Sequence, residues 1–429
     1  MTEPHLPLRG VTVLAWEQVV SLPMGTRMLA ELGARVIRVD APSRGRNRPR
    51  HTGNDLVRNK ESLALNLREP RAREIFKRLV RQSDVLCENF TPRVKREFGL
   101  TYAELTKERP DLIMLSVCGY GQTGRMSNRP TFGPGIEAAA GHALLAGEPD
   151  QPPTRPGTIV YADNISGYYA AFAIIAALLR RRLSGKGCSI DLAMFEASAY
   201  HIAPSIAQAS LAGENPPRRG NSDPAALVQG VYESNVPERW VAVTVYPEDG
   251  SKAAALIDCE PAPAALHAAL GRWAKRRGAE DAAETLQGIG VAASAVLNAR
   301  DLLQNEQLRH RDAFTLVRHA QPVNGYAAHP HAVSPILFAG HTRQELMEAP
   351  AVGQDSRALL QELLGIGDAE IDVLAADGVI AVAQPSSEPV TMPADEAGAR
   401  RRMEWRLVAD FDPEPGRTLG LPSLTEVRP

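Results

Sequence analysis

The chain of 429 residues has only four cysteines, scattered at positions 87, 118, 188 and 259. No pair has zinc, haem or redox spacing, so they read as reduced thiols of a cytoplasmic protein rather than a disulfide frame. Aromatic residues make up only 5%. Neither sign of charge dominates: 48 basic against 50 acidic side chains leave a formal net charge of −2. That balance excludes the basic footprint of a nucleic-acid binder. The opening MTEPHLPLRGVTVL lacks the basic-then-apolar layout of a secretory leader. The longest apolar run, Tyr168 to Leu179, is too short to cross a bilayer and is followed by Arg180, Arg181 and Arg182. A cytoplasmic protein with neither membrane nor nucleic acid as partner is expected.

Familiar catalytic signatures are missing too. Leu22 and Pro23 stand where a dinucleotide-binding turn needs glycines, which argues against NAD. There is no phosphate loop, no G-x-S-x-G elbow and no His-rich metal motif. The His329-Pro330-His331 stretch reads as a turn with incidental histidines, because no cysteine or carboxylate sits nearby at ligand spacing. No metal is expected.

What is present is the composition of a soluble enzyme, 44% hydrophobic and 23% charged, with length enough for two domains. Strand-like LRGVTVLAW, helical MGTRMLAELGA and strand-like RVIRVDAP make a βαβ unit, which implies a parallel sheet. The pattern repeats through REIFKRLVRQS, DVLCEN, TYAELTKERP and LIMLSVCGYG, where Pro110 stops a helix before its strand. GIEAAAGHALLA suggests one close-packed helix, and CSIDLAMFEASAYHIAPSIAQASL a strand followed by a helix.

The expected fold is α/β: a large doubly wound, Rossmann-like domain and a smaller α+β domain. The expected divisions are 1–200 for the first part of the large domain, 201–225 for a linker, and 226–330 for the small domain. Residues 331–384 return to the large domain, and 385–429 form a tail rich in Pro, Glu and Arg.

One acidic residue stands out. In YADNISGYYAAFAIIAALLRRRLSGKG, Asp163 directly precedes a long apolar helix. Asp163, Asn164 and Ser166 all suit a helix cap. A carboxylate at a helix N-terminus is also held ionised and available as a nucleophile.

Six segments in order resemble the class III CoA-transferases, the group of formyl-CoA transferase and carnitine CoA-transferase, whose fold alpha-methylacyl-CoA racemase shares. They are LRGVTVL, LAELGARVIRVDAP, NKESLALNLR, DVLCENFTPRV with FGLTYAEL, RPDLIMLSVCGYGQTG and ADNISGYYAAFAIIAALLRRRLSGKGCSIDLAMFEA. The resemblance covers residues 8 to about 200 and, more weakly, 285 to 380. It implies that CoA moves from an acyl-CoA donor to a carboxylic acid acceptor, with Asp163 attacking the thioester. CoA and its thioesters enter as substrates, and the assembly implied is a homodimer of interlocked rings.

The same resemblance implies CoA contacts at Val19, Leu65, Arg68, Asn89 and Phe90. Departures from the family pattern accompany them. Ser21-Leu22-Pro23 replaces Ala-Gly-Pro, and Glu97 stands where an arginine is common, leaving Arg96 or Arg93 to substitute. Gly133 replaces an acidic residue, and ESNVPERW occupies the place of a glycine-rich covering loop. The alternatives are an acyl-CoA racemase, disfavoured because the racemase His-Asp pair is missing, and a non-catalytic CoA-binding subunit of a heteromeric transferase.

Overall fold

The computed structural model describes residues 6–42, 52–155, 157, 159–323, 326–340, 343–383, 403–404 and 418–419. The tail expected over 385–429 therefore lies outside the described residues except at 403–404 and 418–419.

The first half alternates as the sequence patterning requires. β1 (Thr12–Trp16), α1 (Ser21–Glu31), β2 (Arg35–Asp40), α2 (Thr52–Val57) and β3 (Glu61–Leu65) come first. α3 (Pro70–Arg81), β4 (Val85–Glu88), α4 (Pro92–Phe98), α5 (Tyr102–Leu105) and β5 (Ile113–Cys118) continue it. α3 shows why these segments are helices. Pro70 pre-sets its first turn, and Ala72, Ile75, Phe76, Leu79 and Val80 recur at helical spacing on the buried face. Each of the four larger side chains contributes about 1.5–3 kcal/mol by burial.

α6 (Gly133–Ala139), α7 (His142–Leu145), α8 (Tyr161–Ser184), β6 (Cys188–Ala193), α9 (Met194–His201) and α10 (Ala203–Ala212) follow. The single helix expected over GIEAAAGHALLA is two, because Gly141 between α6 and α7 takes a left-handed φ of 88°.

The next elements are β7 (Val228–Glu233), β8 (Trp240–Val245), α11 (Gly250–Ile257), α12 (Pro263–Ala274), α13 (Ala279–Gln287), β9 (Ala292–Ala295), α14 (Ala299–Gln304) and α15 (Glu306–His310). Last come β10 (Phe314–Val323), β11 (Tyr326–Ala332), α16 (Ser356–Leu364), α17 (Asp368–Ala376) and β12 (Ile380–Ala381).

Seven strands form the main sheet in the order β12-β3-β2-β1-β4-β5-β6. All pairings are parallel except that of β12 with β3. Alternate residues feed two cores. Leu14, Ile37 and Leu63 pack with α3, α16 and α17, while Val13, Val36 and Val85 pack with α1 and α8. The sheet is thus doubly wound, with order reversing between β1 and β4.

Contacts divide the chain into two units: residues 1–140, 157–202 and 310–429, and residues 141–156 with 203–309. The second unit is an antiparallel sheet, β7-β8-β9, over a core that includes Tyr232, Val243, Leu266 and Trp273. Its limits differ from the expected 226–330. The β10–β11 hairpin belongs to the first unit, where Arg58 donates to the Ala332 carbonyl at 2.7 Å. The expected linker over 201–225 contains α10, and residues 141–156 join the second unit.

α8 is 24 residues long, twice the apolar run that marks it in the sequence, and its length and composition suffice to cross a membrane. Half of its apolar window is buried inside the protein, mainly against α1. Two glycines allow that contact. A Cβ on Gly25 would lie 2.7 Å from the Gly167 carbonyl oxygen, and one on Gly167 would lie 2.8 Å from that of Ser21. This close crossing brings the first turn of α8 beside the β1–α1 turn.

Candidate active site

Two clefts lie at the carboxyl ends of the parallel strands, beside the β1/β4 reversal where doubly wound sheets bind ligands. The larger, about 870 Å³, has Trp16, Val39, Leu65, Arg68, Phe90 and Phe98 among its walls. The smaller, about 240 Å³, is walled by Val19, Asn89, Phe90, Arg129, Gly133, Asp163 and others. Gln18, Phe90 and Val94 line both, so the two share a wall.

The β1–α1 turn is held from two sides. Asn89 accepts from the Gln18 amide at 2.9 Å and donates to the Gln18 carbonyl at 2.8 Å. Buried Lys60 donates to Glu17 at 2.7 Å, to Thr26 at 2.7 Å and to the Pro23 carbonyl at 3.0 Å. Burial pulls the Lys60 ammonium down to about 8, with Glu17 opposing the shift. Between these anchors Val19 has a left-handed φ of 63°, a strained state for a β-branched residue that costs about 1–3 kcal/mol. Its side chain is half-exposed in the smaller cleft.

The aromatic wall is a stack. The Phe90 ring lies 4.1 Å from that of Trp16 at 27°, and the Phe98 ring lies 5.8 Å from Trp16 at 30°. Such a wall suits an adenine ring or a pantetheine chain. The carboxylates nearby are already matched: Glu17 by Lys60, Asp40 by Arg38 at 3.0 Å, and Glu97 by Arg93 at 3.6 Å.

Asp163 is 6% exposed and sits in the first turn of α8. It is not the cap. Glu137, buried in α6, accepts from the Tyr161 amide at 2.6 Å and from the Ala162 amide at 3.4 Å. Asn164 donates to the Val160 carbonyl and Ser166 to the Ala162 carbonyl, so neither of them caps the helix. No hydrogen bond to the Asp163 carboxylate is formed among the described residues.

The electrostatics correct the sequence expectation. The helix N-terminus does not hold Asp163 at an ordinary acidity. Burial, and then the charge of Glu137, push its carboxyl up to about 6. Gly133 explains the missing acidic residue in physical terms: a Cβ there would come within 2.5 Å of the Asp163 Oδ2 and 2.1 Å of Val160. Only glycine fits against this carboxylate.

The structure gathers Val19, Asn89, Phe90 and Asp163 at the smaller cleft, and Leu65, Arg68 and Phe90 at the larger. Arg96 is exposed on α4 and lines neither, whereas Glu97 does face the larger cleft. Trp16 and Arg129 escaped sequence reasoning, and Glu137, near Gly133 in sequence, could not be placed by it. Trp16, at the end of a buried strand, was the most accessible of these by pattern; Glu137 carries no motif.

Comparison with known proteins places the chain in a family. Residues 8–356 match CoA-transferase family III. The succinyl-CoA–D-citramalate CoA-transferase of Chloroflexus aurantiacus is 30% identical over 403 residues, 88% of this chain and 99% of that protein. The acetyl-CoA:oxalate CoA-transferase of Acetobacter aceti is 36% identical over 241 residues, 54% of this chain but only 62% of that protein's length. A CaiB/BaiF family protein from Brucella suis superposes with a TM-score of 0.74 at 25% identity, over 83% of this chain and 99% of that one. With four-fifths of its length inside the match and its two clefts at the sheet reversal, the chain belongs to CoA-transferase family III.

Proposed function

We propose that the protein transfers CoA from an acyl-CoA to a carboxylic acid, with Asp163 as nucleophile. One observation carries this reading. A buried carboxylate without a hydrogen-bond partner lines a small cleft that shares its wall with a larger, aromatic one. The nucleotide end of CoA occupies the larger cleft, against Trp16, Phe90 and Arg68, and the thioester reaches the smaller.

Ionised Asp163 attacks the thioester carbonyl, the C–S bond breaks, and CoA leaves as thiolate. The thiolate then attacks the aspartyl carbonyl of the mixed anhydride, releasing the donor carboxylate and leaving an aspartyl-CoA thioester. An acceptor carboxylate repeats the two steps in reverse, departs as the new thioester and restores Asp163. Each half is balanced without a proton or redox partner.

The acceptor is a dicarboxylate. Oxalate and citramalate, named for the two relatives, are dicarboxylic acids. In this chain Arg129 lines the smaller cleft, and a guanidinium suits the carboxylate that does not react.

The assembly is an interlocked homodimer. α8 leaves Tyr168, Phe172, Leu179 and Leu183 exposed, and α10 buries none of its residues, apolar faces that a second chain would cover.

The deciding experiment incubates the protein with isotopically labelled acyl-CoA and searches for the adduct by mass spectrometry. An acyl or CoA mass on Asp163, discharged by added dicarboxylate, is the expected result. Transfer proceeding with no adduct in an Asp163→Asn protein would overturn the assignment.

A further inference from the structure

Three imidazoles meet on the β10–β11 hairpin, away from both clefts. The hairpin register pairs Val317 with His329 and Thr315 with His331, so alternation places His319, His329 and His331 on one face. The His319 and His329 rings stack with centroids 4.1 Å apart at 8°, and His331 lies 4.7 Å from His329. One ring nitrogen from each lies within 4.8 Å of the other two. The stretch read from sequence as a turn is therefore a strand, and its third partner comes from ten residues upstream of His329.

Two features point to a ligand. The His319 and His331 side chains are 4% and 6% exposed, yet the Nε2 of each is buried with no hydrogen-bond partner. Their other nitrogens face carboxylates: His319 Nδ1 is 3.5 Å from Glu348, and His331 Nδ1 is 3.5 Å from Asp55. A carboxylate on one imidazole nitrogen, with the other nitrogen bare, is how proteins orient a metal-ligating histidine and raise its basicity. Sequence spacing hid these carboxylates, since Asp55 lies on α2 and Glu348 follows the hairpin.

We propose that His319, His329 and His331 bind a zinc-type divalent transition-metal ion, with Glu348 and Asp55 orienting two of the rings. Imidazole donors select zinc and its neighbours over magnesium or calcium, which prefer oxygen. Ligand atoms around a tetrahedral zinc lie about 3.3 Å apart for bonds of about 2.0–2.1 Å. Rings now within 4.8 Å reach that spacing by closing about 1.5 Å or less. None of the three lines the clefts, and the ion would fasten the hairpin to α2 and the segment around Glu348.

The test uses the full chain, stripped with a chelator and titrated with Zn²⁺ or Co²⁺ alone. Calorimetry should give one Zn²⁺ per chain, thermal unfolding should rise to a plateau at one equivalent, and Co²⁺ should show tetrahedral d–d absorption without a thiolate charge-transfer band. Glu348→Gln should weaken Zn²⁺ binding about 10–100-fold, and His329→Gln by more. Should His329→Gln not fold, His319→Gln serves in its place. Lack of stoichiometric Zn²⁺ binding by the wild type overturns the proposal, as does a thiolate band or undiminished binding in the histidine variants.

Discussion

Glu137 and Asp163 sit side by side at the start of α8 with their tasks separated: Glu137 ties down the Tyr161 and Ala162 amides, and Asp163 faces the cleft. The acidic residue inside the helix is relieved of capping by one from another helix. Burial raises the pKa of Asp163 and the charge of the same neighbour adds to it, so structure and reactivity are linked through one pair of carboxylates.

Asp163→Asn should abolish CoA exchange while the protein stays folded. Its stability should moreover differ from wild type with pH. A carboxyl raised from 3.8 to about 6 favours folding fully below pH 3.8, and that contribution is lost as pH rises through 6. The Asn variant lacks the loss, so it should be about 1–3 kcal/mol more stable than wild type at pH 8 and close to it at pH 4. Thermal unfolding at the two pH values checks this.

The wild-type rate at low acyl-CoA should fall below an apparent pKa of about 6, as Asp163 takes up a proton. Glu137→Gln keeps an oxygen to accept from the Tyr161 amide but removes the charge. Its acidic limb should move to lower pH, measured as kcat/KM across pH 4–8. An unmoved limb would mean that another group controls it.

Gly133→Ala should be inactive or nearly so. The added Cβ must displace Asp163 or Val160, at an overpacking cost of about 1–3 kcal/mol. Circular dichroism with an exchange assay separates local displacement from unfolding; activity within twofold of wild type would contradict the close approach.

CoA affinity should sort the three outer candidates. Phe90→Ala removes the stack on Trp16 and should weaken CoA about tenfold. Arg68→Ala should weaken it similarly, with a smaller salt dependence than wild type. Arg96→Ala, exposed and outside both clefts, should change affinity less than about twofold. Calorimetric titration with CoA at two salt concentrations measures all three.

Arg129→Ala should raise KM for a dicarboxylate acceptor about tenfold or more with little effect on kcat, because the lost contact is to the carboxylate that does not react. A matched monocarboxylate should be indifferent to the change. Initial rates with both acceptors make the comparison.

Most strands of the main sheet could be read from the sequence. Hydrophobic alternation and helical spacing act over a few residues, so β1, β2, β4, β5, β6, α3 and the long helix bearing Asp163 were legible from local pattern, whereas β3 and β12 were not. Asn59 and Lys60 open one of the six family-like segments, and their work is architectural: Asn59 pairs with the backbone of Glu345 and Met347, and Lys60 secures the β1–α1 turn. Tertiary structure decided what Asp163 is, because its burial and its neighbour Glu137 come from packing α8 against other elements. It also decided that Arg96 points away while Glu97 faces the cleft, a matter of helix phase at α4. The gathering of His319, His329 and His331 with Asp55 and Glu348 depends on a hairpin register and on contacts nearly 300 residues apart. Local chemistry sets which elements form; long-range packing sets the electrostatic surroundings on which reactivity depends.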